Sequence, residues 1–273
     1  MILSSVREVL WKRSVGVLKI NKRTPPPEFV GAAVRAKYTY YRALPGKKTP
    51  YDLLESKAKE ALGKALATEQ GHLCVYCMSR IGDHDMKIEH LYPRHDEMGK
   101  GAELSVEYTN LFASCRGGEG EPKRLQTCDT HKGNAIISVN PLNSDSIAKI
   151  SYGYDGKVKS DDSDIEQDLN DTLNLNVEKL KRNRLEAWNH MRARIARKNL
   201  NEQIKMYTAF IEGEGQVNSD MKMEYAGFLL FMAGRELRKL KGKQKACGDS
   251  ALEIGGFAHG PAYIEFANRR HNG

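Results

Sequence analysis

The chain reads as an α+β protein in which one small metal-dependent unit sits inside a mainly helical framework. Three observations lead there. Four of the five cysteines and five of the eight histidines fall between Gly71 and Asn140. Short β-like pieces and glycine-rich loops replace helical spacing in that stretch, which is too polar and too broken to support itself by apolar packing, so a metal is expected to hold it together. On both sides of it, apolar residues recur at helical intervals. The organisation expected is an extension and a basic, aromatic segment over 1–48, a helix plus the metal-bound core over 49–140, and a linker with a helical region over 141–273.

Taken in order, residues 1–16 form a short amphipathic segment, and the character changes at Val17-Leu18-Lys19-Ile20-Asn21-Lys22. Pro25-Pro26-Pro27 reads as an extended, solvated connector. Arg35, Lys37, Tyr38, Tyr40, Tyr41 and Arg42 follow as a basic and aromatic cluster. Thr49-Pro50 resembles a helix cap with proline in the first turn, opening a helix from about Tyr51 to Thr68 that Gly71 stops. Its apolar face is Leu53, Leu54, Ala58, Ala61, Leu62 and Ala65. Lys87 to Tyr92 alternates as a short strand ended by Pro93. Beyond Pro141 an irregular linker carries a hairpin around Asp155-Gly156 and then the acidic run Asp161, Asp162, Asp164, Glu166, Asp168 and Asp171. One long helix, or two joined ones, spans Val177 to about Ile211, with Leu180, Leu185, Trp188, Met191 and Ile195 near helical spacing. A last helix from about Asp220 to Lys241 offers Tyr225, Phe228, Leu229, Met232 and Leu237 to the core.

Composition narrows the function classes. With 273 residues, 40% apolar and 29% charged, the chain is neither fibrous nor wholly disordered. Its longest nearly uncharged apolar stretch, Tyr225 to Gly234, is about half of a membrane span. Arg7, Glu8, Lys12 and Arg13 interrupt any secretory core, so a cytoplasmic location is expected, where paired thiols hold metal more often than disulfides. A net charge of +8 makes a polyanionic partner plausible. Two basic runs fit phosphate contact that is sequence-independent and salt-sensitive. One is Lys179, Lys181, Arg182, Arg184, Arg192, Arg194, Arg197 and Lys198; the other is Arg235, Arg238, Lys239, Lys241, Lys243 and Lys245.

The chemistry-bearing residues lie in the central unit. Cys74-Val75-Tyr76-Cys77 is a C-x2-C knuckle, and Cys115 and Cys128 complete four thiolates for a structural zinc site. The second pair departs from the usual spacing, because Arg116 to Thr127 fills the gap. Between the pairs stands Glu89-His90 with Pro93 three residues on; Asn110-Leu111 precedes Cys115, and Lys132-Gly133 follows Cys128. In this order the pieces resemble the HNH (ββα-metal) nucleases. Lys19-Ile20-Asn21-Lys22 and Pro26-Pro27-Glu28-Phe29, followed by that core and a helical half, further resemble the HNH subunit, PtuB, of Septu-type anti-phage systems that also occur with retrons.

The resemblance implies a zinc-stabilised ββα-metal core and metal-dependent endonuclease activity. His90 is the candidate general base, since an imidazole is basic yet mostly neutral near neutral pH. Glu89 and a residue of the following helix would hold one Mg²⁺ or Mn²⁺, and Asn110 would orient the His90 ring or brace its loop. For the helix residue two candidates stand side by side: Asp129 by spacing and as a hard anionic oxygen, His131 by residue type. His84 and His95 are expected at the surface or the substrate edge, His72 could stand in for a cysteine ligand although four cysteines already fill a zinc shell, and Cys247 is expected as a free thiol. Implied partners are nucleic acid, DNA or RNA, a PtuA-like ATPase subunit, and a retron reverse transcriptase with its DNA. Two other readings remain: a zinc-stabilised nucleic-acid-binding module without catalysis, and a stand-alone HNH nuclease.

Overall fold

The computed structural model describes residues 18–43, 48–82, 85–96 and 99–246. The amphipathic segment 1–16, His84 and Cys247 lie outside the described residues. From Leu18 to Pro26 the chain runs without regular structure across the molecule. Ile20 is buried and its N–H donates to the carbonyl of Pro141 (2.9 Å). The Lys22 ammonium donates to Glu69 Oε1 (2.6 Å) and to the carbonyl of Leu111, with the rings of Tyr108 and Phe112 4.6 and 4.2 Å away. One lysine of the N-terminal motif thus staples three elements together. The third proline does not extend the connector as expected: it opens helix α1 (Pro27–Ala43), because a first-turn residue needs no N–H and the fixed φ of proline suits a helix start. α1 buries Phe29, Ala32, Ala33 and Ala36 and turns Val30, Val34, Tyr38 and Tyr41 outward.

The helix expected from Tyr51 begins later, as α2 (Ser56–Glu69). The Asp52 carboxylate accepts from both the N–H and the hydroxyl of Thr49 (2.8 and 2.9 Å), closing a 3-10 turn over Pro50–Leu53. Leu54 then turns extended (ψ 136°), which breaks continuity with α2. Gly71, at φ +67°, ends α2 as foreseen. Strand β1 (Met86–His90), helix α3 (Lys100–Leu104), strand β2 (Leu111–Cys115) and helix α4 (Cys128–Lys132) follow. β1 and β2 pair antiparallel, with Met86 opposite Cys115 and His90 opposite Leu111. α2 packs across this ladder, and its end supplies a surrogate edge. The Gln70 amide donates to the carbonyl of Ala113 (2.8 Å) and accepts from its N–H (2.8 Å), satisfying buried backbone that no third strand reaches.

The α-helices and strands that follow are α5 (Ser144–Ala148), β3 (Ile150–Tyr152), β4 (Val158–Ser160), α6 (Ser163–Gln167), which a π-helical turn over Asp168–Thr172 continues, α7 (Glu178–Ala196), α8 (Leu200–Glu212) and α9 (Ala226–Ala246). The hairpin around Gly156 is present, with Tyr152 opposite Val158. The stretch after Pro141 is not the loose linker expected, because Ile147, Ile150, Tyr152, Val158, Ile165 and Leu169 are all buried. Its acidic run is put to use: Asp162 caps α6 by accepting from the N–H groups of Asp164 and Ile165, and Asp168 accepts from the loop N–H groups of Ser138 and Val139. The long C-terminal helical pattern divides at Asn199, whose side chain caps α8. Tyr225, Phe228, Leu229, Met232 and Leu237 are buried as expected.

One cation of the first basic run is not at the surface. Arg184 is 1% exposed, because it lies on the buried stripe of α7 with Leu180, Trp188, Met191 and Ile195. Its guanidinium donates to the carbonyls of Gly156 (3.0 Å) and Leu175 (2.9 Å) and faces the Tyr152 ring. It ties α7 to the hairpin and offers nothing to phosphate. Arg184→Met leaves two buried carbonyls without a donor and is expected to cost about 3 kcal/mol, read as a lower urea midpoint at unchanged slope.

Candidate active site and metal centre

The four cysteines come from three places: Cys74 and Cys77 from the loop after α2, Cys115 from the end of β2, and Cys128 from the start of α4. Their sulfurs lie within 4.8 Å of one another. Cys77 Sγ is 3.8 Å from Cys115 Sγ; tetrahedral zinc with bonds of about 2.3 Å demands a sulfur separation of about 3.8 Å. The unusual spacing of the second pair has a plain cause. The intervening residues form a closed excursion pinched at its base, where the Thr127 N–H donates to the carbonyl of Gly117 (2.9 Å). A Cβ on Gly117 would sit 2.1 Å from the Thr127 carbonyl oxygen, so only glycine permits the pinch. Hydrogen bonds from the neighbouring thiols hold the Cys77 thiol well below its ordinary range despite burial, which favours a thiolate. Four sulfurs placed to bind one metal ion suit zinc. His72 is not among them.

β1 presents Glu89 and His90 to opposite sides, as the pleat requires. Glu89 is 1% exposed and accepts from the Tyr76 hydroxyl (2.6 Å), contributed by the cysteine knuckle, and from the Lys132 ammonium (2.9 Å). The Lys132 ammonium also donates to the carbonyl of His90 (3.1 Å). Asp129, one turn earlier on α4, hydrogen-bonds Glu89 and pairs with Lys87 (3.1 Å). Burial and the shared proton with Asp129 push Glu89 up to about 8, against the pull of Lys132. Asp129 is driven the other way: burial alone would raise it, but the Glu89 hydrogen bond and the ammonium of Lys87 outweigh that and lower it. Two neighbouring carboxyl groups of this kind offer oxygen donors of the type a hard divalent cation takes.

His90 faces the other way, with Nε2 2.9 Å from the carbonyl of Ser105 and the Tyr51 ring edge-on at 4.7 Å between centroids. A carbonyl can only accept, so Nε2 carries the proton and Nδ1 keeps its lone pair. Burial lowers the His90 pKa to about 4, with Arg94 adding to the effect, so the ring is neutral throughout the physiological range. Asn110 does not touch that ring. Its Oδ1 accepts from the Tyr92 N–H (2.7 Å) and its Nδ2 donates to the carbonyls of Tyr92 (3.0 Å) and Leu104 (3.2 Å), bracing the turn that leaves β1. His131 turns away from the carboxyl pair, with Nδ1 3.0 Å from the Thr172 carbonyl. His95 is exposed.

Sequence reading missed Tyr51, Tyr76, Ser105 and the burial of Lys132. Tyr76 stood inside the knuckle, on view but mute. The spacing of Asp129 and Lys132, one helical turn apart beside Cys128, was the available signal that both face β1.

No family model matches the chain. It is similar to two proteins named putative HNH endonucleases: that of retron Vc95 from Vibrio cholerae serotype O1 biovar El Tor, 31% identical over 100 residues, and that of retron Ec83 from Escherichia coli, 30% identical over 80 residues. These stretches are 36% and 26% of this chain, and the chain spans 46% and 31% of the relatives' lengths. Among the described residues no helix is long and apolar enough to cross a membrane.

Two outcomes test the site. Cys77→Ser is expected to release the bound ion, measured as zinc per chain by mass spectrometry, and to lower the melting temperature by about 10 °C. Because the Glu89 pKa is raised by folding, its contribution is complete below its unfolded value and disappears as pH climbs through about 8. Zinc-loaded protein without added Mg²⁺ or Mn²⁺ is therefore expected to lose melting temperature from about pH 4.5 to about pH 8, and Glu89→Gln to flatten that slope.

Proposed function

We propose that this chain is a metal-dependent HNH-type endonuclease that hydrolyses phosphodiester bonds of nucleic acid. The observation that carries the reading is the pairing, across one short strand, of a neutral histidine whose Nδ1 has no hydrogen-bond partner among the described residues with a carboxyl pair supplied by β1 and the helix behind it. The order β1, β2, α4 with Glu89 and His90 at the end of β1 supports the ββα-metal core that the sequence motif implies.

In this reading His90 Nδ1 takes a proton from the attacking water as its oxygen approaches phosphorus and the bond to the leaving oxygen breaks. The carbonyl of Ser105 fixes the tautomer that leaves Nδ1 open, and the Tyr51 ring holds the imidazole plane. Glu89 and Asp129 would be the oxygen donors for one Mg²⁺ or Mn²⁺. When bound, such an ion supplies positive charge to the departing oxygen. Asp129 is preferred to His131 in that role, since the latter's Nδ1 is engaged by Thr172. Lys132 and Tyr76 hold Glu89 in place, and Asn110 keeps the turn after His90 rigid. The four-cysteine zinc site fastens α4 to β2. By the resemblance to Septu-type HNH subunits and the retron names of the relatives, the chain acts as the effector of an anti-phage complex with a PtuA-like ATPase, and with a retron reverse transcriptase and its DNA.

Cleavage of plasmid DNA, single-stranded DNA and total tRNA in Mg²⁺ or Mn²⁺, with and without a PtuA-like ATPase, tests this. His90→Ala is expected to lower the cleavage rate by at least about 100-fold at unchanged zinc content; full activity in that variant removes His90 as the base.

A further inference from the structure

Close to His90, but on different elements, stand two cations that the hydrolytic reading leaves unused. Arg94 follows β1, and Lys59 lies in the first turn of α2. The Arg94 guanidinium carbon and the Lys59 nitrogen are 5.1 and 5.0 Å from the centroid of the Tyr51 ring. That same ring stands edge-on to the His90 imidazole. We propose that Arg94 and Lys59, gathered around Tyr51, form a binding site for a backbone phosphate of the strand being cut; this rests on the nuclease reading above.

The site is built rather than incidental. Asp52 divides its two oxygens: Oδ2 closes the Thr49 turn, and Oδ1 accepts from Arg94 Nη1 at 2.6 Å. The turn that carries Tyr51 is thereby locked to the guanidinium by a single bond. The other N–H donors of Arg94 have no protein acceptor among the described residues, and the Lys59 ammonium has no carboxylate partner there. A planar fork held by one edge presents its remaining donors as a set, the geometry that matches two phosphate oxygens. A guanidinium whose sole purpose was the Asp52 ion pair would gain little at a side chain 30% exposed.

Ser105 registers this site against the base. Its hydroxyl accepts from the Tyr51 N–H (3.3 Å) while its carbonyl accepts from His90 Nε2 (2.9 Å). A phosphate on Arg94 and Lys59 is therefore placed one aromatic ring away from the atom that activates water. Among the described residues the one carboxylate bonded to either cation is Asp52, which is spent on Thr49 and Arg94.

Binding without cleavage provides the test. Full-length His90→Ala protein is titrated with fluorescein-labelled 20-nucleotide DNA and RNA, single-stranded and duplex, by anisotropy over a series of KCl concentrations. Arg94→Gln in that background is expected to weaken binding several-fold and to reduce the slope of log K against log [KCl] by about 0.7 to 0.9, the loss of one phosphate contact. Arg94→Lys is expected to restore the slope with only part of the affinity. Lys59→Gln, on a half-buried side chain of α2, gives a second reading of the same slope should Arg94→Gln fail to fold by circular dichroism. Firm parent binding with an unchanged slope in both Gln variants overturns the phosphate site alone. Absence of salt-dependent binding by the parent on every probe overturns the nuclease reading together with it.

Discussion

Three separate pieces of chain deliver the four cysteine sulfurs, and bringing those sulfurs around one ion dictates where the loop after α2, the end of β2 and the start of α4 must lie. α4 has only five residues and is too short to hold itself as a helix. Its place is set by Cys128 at one end and by Lys132 at the other. Between them sits Asp129, so the constraint that stabilises the fold also carries a carboxylate up to Glu89. The excursion after Cys115 can take its length because its ends meet at the Gly117–Thr127 hydrogen bond. Loop closure of that kind costs little extra as loops lengthen.

Buried charge is the second theme, and it is consistently partnered. Lys132 and Glu89 are both about 1% exposed and bond to each other. Lys22 and Glu69 make a similar pair, and Arg184 is satisfied by two carbonyls. No buried side-chain nitrogen or oxygen among the described residues lacks a hydrogen-bond partner. Such groups add little net stability but penalise any arrangement that leaves one alone, which makes them devices of position. Around the candidate base the same logic applies with a difference: Arg94 and Lys59 are anchored but not saturated, and Nδ1 of His90 is open. Cations with spare donors beside an open base are what an anionic substrate requires, whereas saturated ones farther away serve the frame.

Local spacing carried a great deal. The Glu89-His90 strand, the glycine that ends α2, the Gly156 hairpin and the apolar stripe of α9 rest on interactions within a few residues, and each stands where the pattern put it; the cysteine ligands, though far apart in the chain, are legible by residue type. Arg184 shows the limit of reading charge apart from periodicity: it was assigned to a basic surface although it falls in step with Leu180, Trp188, Met191 and Ile195. The stretch beyond Pro141 failed for a related reason, since its short elements each bury only one or two residues and give no sustained period.

The sequence by itself determined which atoms could bind metal, which histidine stood beside a carboxylate, and the order in which these pieces follow one another. These depend on residue identity and separations of a few positions, and no packing alters them. Only the tertiary structure decided between Asp129 and His131 as neighbour of Glu89, turned Asn110 to the loop instead of the ring, and recruited Ser105, Tyr51, Tyr76 and Lys132. Each of those outcomes turns on contacts between residues on different elements, Glu89 and Lys132 being 43 positions apart. Such contacts are fixed by how α2, β1 and α4 pack against one another, which a linear pattern does not encode at any single site.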